Sequence, residues 1–180
     1  MTAAPKKKKS SQAHDPRVEA ARKRLQESID QADALEAIRE IVTNLLGCEE
    51  IGLFTIVHEN DHTKNGLLWS FGIDPQKHGT LSAFEQAALQ RVLQGELHIA
   101  QVGHEAHGSH ENPPIRAFVP IRHNGRTVAV LIMLKLLPQK LGFDEADINL
   151  VDVLSNEAGR ALYEGRTRMR EDSEARGGRG

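Results

Sequence analysis

The chain has 180 residues, enough for one domain with tails and a full core but cramped for two. Its 23 basic and 25 acidic residues leave a net charge of -2, so no global field draws it to nucleic acid or to an anionic membrane surface. One cysteine, Cys48, excludes an intramolecular disulfide framework and fits a reducing compartment. No apolar run approaches the roughly 20 residues a bilayer span needs, and the Lys-rich start lacks the apolar segment of a secretory signal. The expectation is a cytoplasmic protein with no membrane span and no nucleic-acid partner.

Residues 1–14, with Lys6 to Lys9 in one run, hold too little apolar surface to offset the entropy of ordering, and predict a disordered basic tail. Asp15-Pro16 then reads as a helix start, since Asp caps and Pro is tolerated at the first helical position. Over residues 15–32, Val18, Ala21, Leu25 and Ile29 form a narrow apolar stripe suited to a partner helix, hence a dimer or relay element. Asp33-x-x-Glu36 is a further start signal, followed by a broader apolar face through Leu46 and a stop at Gly47. Whether the helix runs straight through Asp33 stays open at this level.

Ile51–Val57 and Gly66–Ile73 read as paired strands joined by a polar connection, His58–Asn65. Ser82-Ala-Phe-Glu85 is a capping box opening a helix that ends at Gly95, and Leu97–Val102 is a short strand. Residues 103–114 lack periodicity and predict a surface loop. From Phe118 two apolar strands flank His123-Asn124-Gly125-Arg126, whose Asn-Gly pair suits a type I′ hairpin turn. Asp144 can cap a last helix, apolar on one face at Ile148, Val151, Leu154, Ala158 and Leu162, which becomes wholly charged after Tyr163.

The strand Val119-Pro120-Ile121, the Gly125 turn, the strand Val128-Ala129-Val130-Leu131, Phe143 followed by Asp147, and the closing helix through Ala158 and Leu162 resemble the GAF domain family of small sensory and regulatory modules. Gly95 to Ala100 looks like that family's short strand after its internal helix. The resemblance covers residues 33–163 and leaves 164–180 as a charged helix end and a Gly/Arg tail. It implies an α+β fold: a GAF/PAS-like central antiparallel sheet, N- and C-terminal helices on one face, and a loop- and helix-covered pocket on the other. The pocket would be walled by residues 69–76, 84–93 and the His-rich stretch, making Trp69, Phe71, His98 and Arg116 ligand-pocket candidates. Against that, aromatic side chains bury large areas, so Trp69 and Phe71 are equally explained as core, and Arg116 as an ion-paired surface residue.

Departures from the better-characterised subfamilies narrow the ligand. Cyclic-nucleotide-binding members carry Asn-Lys, then Phe-x-x-x-Asp-Glu; here Leu134-Lys135, Phe143, Asp147 and Ile148 lack the Asn and the final Glu, so no cyclic nucleotide is expected. Cys48 stands at the end of a helix, away from a bilin-attaching cysteine, so no covalent bilin is expected either. The free methionine sulfoxide reductases of this fold use several cysteines, and one thiol cannot both attack and resolve within a chain. His98, His104, His107 and His110 beside Glu105 and Glu111 could instead form a metal or haem site, with His104, His107 and His110 as its ligands. The plain alternative is a solvated loop. The sequence therefore points to a non-enzymatic regulatory module acting through homodimerisation and a separate effector protein, modulated by a small ligand. A metal, haem or small-molecule sensor using residues 98–111 is the alternative, and an enzyme of unrecognised chemistry ranks last.

Overall fold

The computed structural model describes residues 15–59, 62–73, 83–100 and 115–177, so the stretches expected as a basic tail (1–14) and a surface loop (103–114) lie outside the described residues. The chain opens with α1 (Pro16–Gln26), whose start is capped as expected: Asp15 Oδ1 accepts the Arg17 N–H at 2.9 Å. The helix does not run on. It ends before Ser28 and restarts as α2 (Gln31–Glu40), capped by Asp30 three residues before the Asp33 signal. Asp33 N–H donates to Asp30 Oδ1 at 2.8 Å, and Asp33 Oδ2 accepts the N–H of Ile29, the residue before the cap, at 3.1 Å. Arg24 bolts the two helices together, donating to Asp33 Oδ1 at 2.8 Å and Glu40 Oε2 at 2.7 Å. A π-helical turn (Ile41–Leu45) follows, and Gly47, at φ +67°, turns the chain into the sheet.

Among the described residues five strands form one antiparallel sheet: β1 (Cys48–Glu59), β2 (His62–Phe71), β3 (His98–Ile99), β4 (Ala117–His123) and β5 (Arg126–Leu136), in the order β2-β1-β5-β4-β3. The expected polar connection at His58–Asn65 is mostly strand, since β1 and β2 pair out to Glu59↔His62. Beyond Thr55, β1 has no β5 partner, so the far end of the hairpin projects past the sheet and needs no apolar alternation to form. The β4–β5 turn is as predicted, with Asn124 at φ +50° and Gly125 at φ +75°. Between β2 and β3 lies α3 (Ala83–Leu93), and the chain closes with α4 (Glu145–Gly177). The family-like stretch ends near residue 163, yet helical backbone continues to Gly177.

The sheet is buried on both faces, which explains the unbroken apolar run in β5. On one face, α1, α2 and α4 pack against Ile51, Leu53, Val119, Ile121, Leu131 and Met133, with Leu150, Leu154 and Ala158 as the α4 contribution. On the other, Ala88 and Val92 of α3 pack against Ile56, Phe118, Val130, Ile132 and Leu134. The expected dimer stripe is corrected here. Ala21 is fully buried and Leu25 2% exposed within a single chain, Val18 packs on the same core, and only Ile29, in the link after α1, stands exposed at 68%. The short link folds α1 back on α2, and α4 supplies the other wall, with Arg22 Nε bonded to Glu157 Oε1 at 2.9 Å. The partner helices of the stripe belong to the same chain.

Candidate functional site

The sheet face under α3 is the candidate site, because among the described residues a single helix covers it where three cover the other. α3 carries Ala88 and Val92 inward with Leu89 and Leu93 half-buried beside them, and Phe54 and Ile73 extend the apolar floor. Phe118 is the largest fully buried side chain of the floor, 1% exposed. Its cross-strand partner is His98, whose imidazole lies 6.0 Å from the Phe118 ring at a 52° tilt. His98 is half-buried, and its pKa is lowered below the ordinary value of 6.5, first by burial and then by the nearby Arg91 charge. It is a neutral donor–acceptor at pH 7 at the rim of an apolar floor.

The sign of the pH effect follows. The unfolded chain protonates His98 near 6.5 while the folded chain resists, so the unfolded state binds more protons in between. This stability is fully present above about pH 6.5 and is lost as pH falls through the folded value. His98→Gln should therefore flatten the fall in the urea midpoint between about pH 7 and pH 5 relative to the parent chain. Parallel curves for the two proteins would contradict it.

The four predicted pocket residues do not share this face. Trp69 pairs with Leu53 and Phe71 with Ile51, both of which point toward the terminal helices. The two rings stack at 6.4 Å and 13°, and Arg39 of α2 places its guanidinium 5.3 Å from the centre of the Phe71 ring. Phe71 remains 39% exposed at the sheet edge, neither core nor floor of the α3 face. Arg116 is half-buried just before β4, where its N–H donates to the Met133 carbonyl at 2.7 Å and its carbonyl accepts from Ala100 at 2.9 Å. Of the four, His98 meets the α3-side cluster through the Phe118 ring. Sequence reasoning missed Phe118, Val130, Ile132 and Leu134 as its floor, although the continuous apolar run in β5 carried the signal of a strand covered on both sides.

His104, His107 and His110 lie outside the described residues, and among the described residues no group of three or more His, Cys, Asp or Glu is placed to hold a metal ion. Cys48 is buried, donates weakly to the Glu50 carbonyl at 3.3 Å, and has its thiol pushed up to about 11 by that burial. Among the described residues no helix is long and apolar enough to cross a membrane.

The family model for the GAF domain matches residues 28–162. The chain belongs to the GAF domain family. Its fold is similar to that of the GAF domain from a Coxiella burnetii phosphoenolpyruvate-protein phosphotransferase, at 16% identity and a TM-score of 0.59, over 84% of this chain and 94% of that one. The GAF domain of the Acinetobacter phosphoenolpyruvate-protein phosphotransferase gives 14% identity and a TM-score of 0.55, over 84% and 93%. The free methionine-R-sulfoxide reductase of Neisseria meningitidis, solved with its substrate, gives 17% and 0.54, over 87% and 95%. At these identities the likeness is one of fold. Comparison with curated proteins returned no match. Membership implies a sensory or regulatory module of the ligand-binding type, and the GAF architecture puts helices on one face of the sheet and a covered apolar face on the other, as found here.

Proposed function

We propose that this GAF protein is a non-enzymatic cytoplasmic regulator that takes a small molecule between its sheet and α3, assembles as a homodimer, and passes the bound state to a separate effector protein. The observation that carries the reading is the second apolar layer, with Ala88 and Val92 of α3 set over Phe118 and Ile132 and neutral His98 at the rim. Such a face offers apolar burial with one polar group to orient a guest. Support for non-enzymatic action comes from Cys48. A buried thiol with a raised pKa is a poor nucleophile, and it has no second cysteine to resolve against. The dimer contacts belong to surfaces other than the α1 stripe, which is already used within the chain.

Native mass spectrometry of freshly purified protein should show a small organic mass retained by the chain, with no visible absorbance band. A stoichiometric metal or a haem band would favour the alternative sensor built on residues 98–111. A bare chain with no thermal shift against a metabolite panel would overturn ligand modulation. Light scattering at micromolar concentration should give twice the chain mass, and a strict monomer would remove homodimerisation from the proposal.

A further inference from the structure

The two helical layers lie on opposite faces of the sheet, and one side chain bonds to both. Among the described residues β3 pairs only with Ala117 and Phe118, so the end of β4 has no further strand beside it there and forms the rim of the described sheet. A bulge between Ile121 and Arg122 sits at this rim. From there the Arg122 guanidinium donates through one NH2 group to the Gly95 carbonyl and through the other to Asn156 Oδ1, the latter at 3.2 Å.

Both acceptors are held by their own helices. Gly95 N–H donates to the Val92 carbonyl at 2.9 Å and Glu96 N–H to the Arg91 carbonyl at 3.1 Å, so the Gly95 carbonyl moves with the last turn of α3. Gly95 is seated against the rim: a Cβ placed on it would lie 3.6 Å from Arg122 Nε and 3.9 Å from Thr127 Oγ1. On the other side, Asn156 Nδ2 donates to the Asp152 carbonyl at 2.9 Å, which fixes its amide and turns Oδ1 toward Arg122. The guanidinium between them is planar, with donors in a rigid fork, so it transmits a displacement where a flexible ammonium would absorb it. One helical step further on, α4 backbone at Gly159 rests on the Arg122 carbonyl.

We propose that Arg122 is the positioning residue that couples α3 to α4, so that a shift of the helix covering the ligand face changes how α4 is held. It rests on the assignment of α3 as the ligand cover, but its test needs no ligand, so either can fail alone. Hydrogen–deuterium exchange on the full chain is measured for the parent, Val92→Ala, Arg122→Met and the double variant. Val92 is the fully buried inward side chain of α3, and its truncation loosens that helix. Amides of 129–133 in β5 report global opening and serve as the reference.

In the parent background, Val92→Ala should raise exchange at 153–163 of α4 by about threefold or more relative to the β5 reference. In the Arg122→Met background the same substitution should raise exchange in α3 and leave α4 level with the reference. Arg122→Lys should behave as Arg122→Met, because charge without the fork does not span both acceptors. An α4 that ignores Val92→Ala while α3 loosens would overturn the coupling. An equal α4 response with and without Arg122 would overturn the role of this residue, as would full retention in Arg122→Lys. Should Val92→Ala fail to fold, the half-buried Leu89→Ala gives the same comparison.

Discussion

Gly159→Ala is expected to destabilise the protein by about 3 kcal/mol or more, although helix propensity alone would favour alanine by roughly 1 kcal/mol. The sign is decided by distance. A Cβ built on Gly159 would lie 2.0 Å from the Arg122 carbonyl oxygen, 2.6 Å from its carbon and 3.2 Å from the His123 nitrogen. These are backbone atoms of a paired strand, so no rotamer change relieves the clash. Either α4 lifts from β4 or the β4 end bends, and both open the core where Ala158, Leu154 and Leu162 meet Val119 and Ile121. The neighbouring Ser155 shows how close the elements run, its hydroxyl donating to the Pro120 carbonyl at 2.5 Å. Denaturant titration would read the loss as a lower midpoint with an unchanged slope. Gly125→Ala is the control, because nothing lies within 4 Å of its Cβ position and only the φ of +75° opposes the change. It should cost about 1 kcal/mol. Equal losses at the two sites would show that close packing at Gly159 contributes nothing.

Much of this arrangement is legible in the sequence. Asn124-Gly125 between apolar runs, Asp144 at the last helix and the 3.6-residue recurrence from Ile148 to Leu162 each name a local conformation with a physical cause. The α1 stripe shows where such reading stops. A narrow apolar stripe says that a helix packs against helices, but not whose, and the short link before Asp30 gave it α2 and α4 of the same chain. The face that Trp69 and Phe71 take is hidden for another reason. Strand residues alternate faces with a period of two, so the bulge between Leu53 and Phe54 decides which residues of the hairpin look toward the helices. No composition or periodicity announces that bulge. The Arg122 bridge is equally hidden, since it depends on β3 being only two residues long and leaving β4 at the rim.

Asp147 tests whether the most family-like motif is scaffold, and its removal should have the second large effect. The side chain is 1% exposed, its Oδ2 accepting the Asp144 N–H at 3.0 Å and facing Lys140 Nζ at 2.7 Å. Its own N–H donates to Asp144 Oδ1 at 2.8 Å, which completes a reciprocal cap of α4. Arg17 of α1 comes within 3.6 Å of Oδ1, an oxygen without a hydrogen-bond partner among the described residues, so the attraction there is charge alone. Asp147→Ala removes the cap acceptor and leaves Lys140, 20% exposed, without its carboxylate; a loss of about 3 kcal/mol is expected. Asp147→Asn keeps an acceptor for the Asp144 N–H and loses only the charge, so it should lie between the two. Acid adds a check with a defined sign. The Asp144 carboxyl is held below its ordinary value by the Asp147 N–H first, with the charges of Arg17 and Lys140 assisting, so its stabilising share is present above pH 3.8 and disappears as pH falls through the folded value. Asp144→Asn, which cannot titrate, should therefore flatten the fall of the thermal midpoint relative to the parent as the medium becomes strongly acidic. If Asp147 instead served a ligand, Asp147→Ala would leave the ligand-free protein within about 0.5 kcal/mol of the parent, and the motif would regain a functional meaning that its burial, its cap and its two cations now account for structurally.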